Sequence, residues 1–360
     1  MNKFTIPWWR ISFGDDEIRG ITRAINNENI SQGPVVAEFE RLLAAYLGVP
    51  YVVATTSGSI ALLMSIMAAG VGYGDEVIVP NRTWIATAHA PAMLGAKVVL
   101  VDVETDRPII DTNKIEKVIT PRTKAIMPVH MNGRSANMRE INRIARKNGL
   151  KVIEDAAQAL GSSNGDGLLG TQSDMGCFSL SVTKIIAAGQ GGFIATRDHK
   201  LYEKLVAIRT HGVGSVIDAE WTQLGFNFRF TDILASIGIA QLGCLDERIE
   251  KVRSIYLQYR EGIKDLPYLS LIPVNIEAGE VPVYVEALCK ERDRLINFFA
   301  ENGIQSRPFY ADLNMASYLQ EDGNFSNCVQ FSKQGIYLPS GPSQSFENIN
   351  RVIKVMHSFV

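Results

Sequence analysis

Residues 51–101 read YVVATTSGSIALLMSIMAAGVGYGDEVIVPNRTWIATAHAPAMLGAKVVLV. Short apolar runs at 51–54, 76–79 and 97–101 are separated by helix-like segments at 60–69 and 84–94. Strands alternating with helices predict an α/β domain with a mostly parallel sheet. Runs as continuously apolar as KVVLV suit a sheet covered on both faces. Outward from this stretch the alternation continues to about Ala195, with apolar runs at 124–129 and 151–153 around a helical segment at 138–147.

The pattern changes after Gly189. GQGGFIATRD (189–198) reads as glycine turns entering a strand, followed by helical patterns at 199–209 and from 231 to about 260. A boundary near residue 248 divides a large domain, 1–248 with its N-terminal segment, from a small α+β domain, 249–360. The latter is expected to hold a strand at 281–288, a helix at 291–302 and a last helix from about Phe346.

Composition narrows the function. A net charge of -2 over 360 residues gives no basic field for bulk nucleic-acid or anionic-membrane binding. Cys177, Cys244, Cys289 and Cys328 form no CxxC pair, which argues against a zinc site or disulfide framework and for a reducing cytoplasm. The opening MNKFTIPWWRISFGDDE lacks the apolar core of a signal peptide. The longest apolar stretch, near 62–69, falls short of the roughly 20 residues of a membrane span.

Three segments carry candidate chemistry. In TTSGSIALLM (55–64) a strand gives way through Ser-Gly-Ser to a helix, which makes either a phosphate site at a helix N-terminus or a plain N-cap. In KVIEDAAQALGS (151–162) Asp155 ends a strand where ligands bind in open sheets; it pairs with a protonated ring nitrogen or caps the next helix. In DMGCFSLSVTKIIAAGQGGFIAT (174–196) Lys184 lies between a strand and apolar Ile185–Ile186. Burial disfavours a charged amine, and a neutral amine is what Schiff-base chemistry needs; a lone lysine is otherwise a solvated surface residue. A phosphate cradle, an acid for a pyridine nitrogen and an amine for an aldehyde are together the handles of a pyridoxal 5'-phosphate site.

With these segments in register the chain resembles the sugar aminotransferases of the DegT/DnrJ/EryC1/StrS family, on the aspartate-aminotransferase (type I) fold. The matching stretches are ISQGPVVAEFE, TSGSIALL, PNRTWIATAHA, PVHMNG, VIEDAAQALGS, FSLSVTK with GQGG, RTHG, LGFNFRFTDILASIGIAQL and LPSGPS, and they cover nearly the whole chain. The resemblance implies that Lys184 holds the cofactor and shuttles the proton, and that Asp155 faces the ring nitrogen. It places Gln158 near the ring hydroxyl, Trp84 on the ring face, and Gly58, Ser59 and Ser179 on the phosphate. Asn227 matches an asparagine that reaches the partner subunit's cofactor, which implies a homodimer with shared sites. L-glutamate is the implied donor and a keto-sugar, usually a nucleotide-linked 4-keto-6-deoxyhexose, the acceptor.

IPWWR and GIQSRPFY resemble the perosamine-forming branch. There an N-terminal strip closes over the sugar, so Arg10, His130, Arg229 and Arg307 are expected to line the acceptor pocket. Each arginine is otherwise a structural ion pair, and His130 a core histidine. Gln190, Ser181 and the Met131-Asn132 pair depart from the family pattern where a substrate is read. This leaves a carboxylate-bearing keto-sugar, such as an 8-oxo octulosonic acid, as an alternative acceptor. Related sugar dehydratases carry histidine in place of the lysine, and a non-catalytic member would not bind the cofactor covalently.

Overall fold

The computed structural model describes residues 4–214, 220–221, 223–319 and 323–359. Its large sheet contains β1 (Tyr51–Thr55), β2 (Glu76–Pro80), β3 (Lys97–Val101), β4 (Thr123–Ile126) and β5 (Lys151–Asp155). A short hairpin, β6 (Ser163–Asn164) and β7 (Gly167–Leu168), precedes the last strands of that sheet, β8 (Met175–Ser179) and β9 (Gly192–Thr196). The order is β1-β9-β8-β5-β4-β2-β3. Every pairing is parallel except those of β9, which runs antiparallel to both β1 and β8.

Side-chain alternation explains the continuous apolar runs. Val77, Val79, Val98, Leu100, Ala125 and Ile153 enter a core shared with the helix Gly58–Ala68. Their neighbours Ile78, Val99, Ile126 and Val152 enter a second core under the helix Met138–Asn148. Successive strand residues face opposite sides, so a strand covered twice must be apolar at every position. Each such Val or Ile stabilises the fold by about 1.5–3 kcal/mol.

The small domain carries β10 (Leu269–Leu271), β11 (Val285–Cys289), β12 (Arg307–Pro308) and β13 (Gly335–Leu338) in the antiparallel order β10-β11-β13-β12. Here the structure departs from the sequence reading. The strand expected at 281–288 starts only at Val285, because the Asn132 side chain grips the backbone of Tyr284 on both its N–H and its carbonyl. The helix expected from 231 to about 260 is two helices, Asp232–Gly243 and Leu245–Gly262, broken at Cys244 after a glycine of low helix propensity. The boundary near 248 falls inside the second of these. Leu245, Ile249 and Val252 pack in the large core, whereas Ile255, Tyr256 and Tyr259 pack in the small one. The N-terminal strip touches both domains: Ile6 bridges Ile304 and Trp9 bridges Ser340, while Trp8 and Trp9 pack against the large core. No helix among the described residues is long and apolar enough to cross a membrane.

Candidate active site

The C-terminal ends of β1, β2, β4, β5 and β8 border one crevice, the place where open α/β sheets bind ligands. At the end of β1, Ser57 caps the helix Gly58–Ala68 by accepting from the Ile60 N–H at 3.2 Å. The N–H groups of Gly58 and Ser59 stand in the first turn, where a helix provides no internal partner and its dipole is positive. The N-cap reading of Ser-Gly-Ser is met by Ser57. Ser179, at the end of β8, lies so close that a Cβ on Gly58 would sit 2.8 Å from its own Cβ. Gly192 opens β9 opposite both Thr55 and Ser179. A Cβ there would come 2.6 Å from the Phe178 carbonyl oxygen and 2.5 Å from the Gly58 nitrogen. Gly58 and Ser179 thus meet closely at the strand ends, with Ser59 next in the helix turn, and this is the cradle the resemblance expects for a phosphate. Gly192→Ala is expected to distort it and weaken binding of the phosphorylated cofactor at least tenfold, measured as the cofactor dissociation constant.

Asp155 ends β5 and is 5% exposed. Its Oδ2 accepts from the Thr87 hydroxyl at 2.7 Å and its Oδ1 from the Ala157 N–H at 3.1 Å. Burial pushes its carboxyl above the ordinary range, against the opposing pull of those two donors and of Lys184 and His130. A buried carboxylate with hydrogen bonds but no ion pair among the described residues is stabilised by a cation entering the crevice, such as a protonated pyridine nitrogen. Thr87 was not singled out from the sequence. Its place one helical turn beyond Trp84 is the signal that marks it.

Lys184 lies in the turn after β8, its N–H bonded to the Ser181 carbonyl at 2.9 Å. Its charge acts on Asp155 and opposes the rise of that carboxyl. Ile185 and Ile186 enter the core, and Lys184 beside them is half-buried. Gly191 follows at φ 140°, where a Cβ would meet Phe230 at 2.7 Å, so only glycine fits that passage.

Trp84 is 57% exposed and meets Tyr310 edge-on, with centroids 5.6 Å apart. It is therefore not a core residue, and its face is open for stacking. Gln158 accepts the Asn132 N–H at 2.9 Å through Oε1, and its NH2 group has no hydrogen-bond partner among the described residues. Asn227 and Arg229 lie beside the cradle through the bridge from Thr55 to Arg229, and the Arg229 Nε donates to Asn227 Oδ1 at 2.9 Å. Arg10 and Arg307 are exposed, the latter with its guanidinium 4.4 Å from the Trp8 ring centroid.

His130 corrects the sequence reading. It is fully buried, with Nε2 2.8 Å from Glu154 and Nδ1 accepting the Ala136 N–H at 3.2 Å. With both ring nitrogens engaged it has nothing to offer an acceptor. Glu154 also takes hydrogen bonds from the Gly170 and Gln172 N–H groups and the Ser173 hydroxyl. His130→Ala is expected to leave one of these buried positions unmet and lower stability by about 1–3 kcal/mol, measured by denaturant unfolding. Arg82 is a residue that sequence reasoning missed. Buried beside Trp84, it pairs with Asp312 at 2.8 Å and lies over the Phe309 and Tyr310 rings, tying the small domain to the crevice.

A phosphate cradle, a buried acid and a nearby lysine at the strand ends of this sheet define a pyridoxal-phosphate enzyme of the aspartate-aminotransferase fold. The chain belongs to the DegT/DnrJ/EryC1/StrS aminotransferase family, whose model matches residues 12–357. It is 35% identical over 335 residues to GDP-perosamine synthase of Caulobacter vibrioides, covering 91% of this chain and 90% of that one. Among solved structures it is similar to DesV of S. venezuelae in complex with a ketimine intermediate, with 29% identity, a TM-score of 0.91 and coverage of 96% and 94%. It is also similar to the E. coli GDP-4-keto-6-deoxy-D-mannose-3-dehydratase with bound hydrated PLP, with 25% identity, a TM-score of 0.90 and coverage of 98% and 99%.

Proposed function

We propose that this chain transfers an amino group from L-glutamate to a nucleotide-linked keto-sugar, in the first place a 4-keto-6-deoxyhexose, for surface-polysaccharide synthesis. The observation that carries the reading is a lysine, rather than a histidine, beside Asp155 at position 184. Pyridoxal phosphate, when bound, supplies an electron sink for charge developing at the amino-bearing carbon. Lys184 Nζ would hold the cofactor through its aldehyde and, when free, would serve as the base and then the acid that moves the proton of the amino-bearing carbon. The Asp155 carboxylate accepts from the ring N–H and keeps that nitrogen protonated. Trp84 covers the ring face, the Gln158 amide meets the ring hydroxyl, and Gly58, Ser59 and Ser179 hold the phosphate.

Arg10, Arg229 and Arg307 offer planar forks to the acceptor, a geometry that suits a diphosphate or a carboxylate. The GDP-perosamine synthase relative supports GDP as the first nucleotide to try. The enzyme works as a homodimer in which Asn227 of each subunit completes the other's phosphate site. Its cysteines are all free thiols, which suits the cytoplasm.

The test is release of 2-oxoglutarate from glutamate in the presence of candidate keto-sugars. GDP-4-keto-6-deoxymannose is expected to support it with ping-pong kinetics. Release with an 8-oxo octulosonic acid alone moves the assignment to carboxylate-bearing sugars. Consumption of the sugar with loss of water and no sugar-bound nitrogen assigns a dehydratase.

A further inference from the structure

The Trp8-Trp9 pair lies outside the cofactor crevice, yet one of its members reaches the segment that carries Lys184. The Trp9 indole N–H donates to the Val182 carbonyl at 3.0 Å. The Tyr284 hydroxyl donates to the Thr183 carbonyl at 2.8 Å. These are the two residues directly before Lys184. The donors come from separate parts of the chain, Trp9 from the N-terminal strip and Tyr284 from the residue before β11. Their rings meet edge to face with centroids 5.1 Å apart, and Tyr284 is buried. On the far side of the lysine, Arg248 donates to the Ile185 carbonyl at 3.1 Å and Gln241 accepts the Ala187 N–H at 3.2 Å. The segment is thus held by side chains from other elements on both flanks of Lys184.

A reactive group loses rate steeply when it is misplaced by about 1 Å. Lys184 is half-buried rather than locked in the core, so its placement depends on the backbone that carries it. Resting on the role proposed above for Lys184, we propose that Trp9 and Tyr284 are positioning residues for its amine. They fix the two preceding carbonyls, so that Nζ serves both cofactor and substrate carbons from one backbone position. Trp9 adjoins Arg10, which couples seating of the acceptor to the placement of the amine.

The test uses the full chain with Trp9→Phe and Tyr284→Phe, each of which keeps a ring and removes one donor. In the cofactor-free protein, amide hydrogen exchange of peptides covering 181–188 is expected to quicken roughly three- to tenfold, the size of one ordinary hydrogen bond, with peptides from β2 unchanged. In the loaded protein, kcat for the glutamate half-reaction is expected to fall by a similar factor while KM stays within about twofold. The pH midpoint of the lysine-bound cofactor absorbance is expected to shift as well. Wild-type exchange and turnover in both variants overturns the proposal. If Trp9→Phe speeds exchange in β2 too, it has loosened the whole fold, and Tyr284→Phe, which removes a single oxygen atom, decides. If the wild type carries no cofactor on Lys184, the functional reading falls while the exchange comparison still judges the clamp.

Discussion

Lys184→Ala is expected to leave a folded protein that neither holds its cofactor covalently nor turns over. The wild type should be yellow, with an absorbance that borohydride removes by fixing the cofactor to this one lysine. The variant should show no such fixation. Loss of the proton carrier alone removes about 10²–10⁴ in rate, and loss of the anchor adds to it. Lys184 lies outside the core, and its backbone, not its side chain, holds the turn, so the melting temperature should hardly change. Near-wild-type turnover in the variant would end the assignment of this residue as the catalytic amine.

The second large effect concerns Asp155, and it has opposite signs with and without cofactor. Removing one member of a buried charge pair costs about 3–5 kcal/mol, so Asp155→Asn is expected to weaken the productive cofactor complex by roughly a hundred- to several-thousandfold. In the cofactor-free protein the same change is expected to stabilise. The folded carboxyl titrates above its unfolded value of about 3.9 because burial opposes its charge. Such a group contributes stability that is present at acid pH and is lost as pH rises through its raised folded value. Asparagine escapes that loss. It can accept from the Ala157 N–H and donate to Thr87, whose hydroxyl also reaches the Trp84 carbonyl at 3.1 Å. The cofactor-free variant should therefore melt higher than the wild type near neutral pH, the gap closing toward pH 4. A cofactor-free variant that melts lower at every pH would show that the buried charge is already balanced inside the protein.

The parts legible in the sequence were those written locally. A doubly covered parallel strand must be apolar throughout, so KVVLV and its fellows declared the large sheet, and the cap, acid and lysine each stand where a strand ends. The parts that stayed hidden depend on contacts between distant segments. His130 looked like a pocket residue, because nothing nearby shows that Glu154 and the Ala136 amide consume both its nitrogens. The same limit concealed Arg82, whose partner lies 230 residues further on. The N-terminal strip was assigned by sequence order, whereas its bonds divide between Gly303, Ser340 and Gln344 of the small domain and Val182 of the large one.

That strip and the helix Leu245–Gly262 have a mechanical consequence. The chain leaves the small domain at Trp9, enters the large one through the helix Asp15–Asn26, and returns along a single rod whose two halves are seated in different cores. A continuous helix seated in both cores resists bending between them, so small twisting or sliding motions, rather than a wide hinge, are the expected movements at the mouth of the crevice.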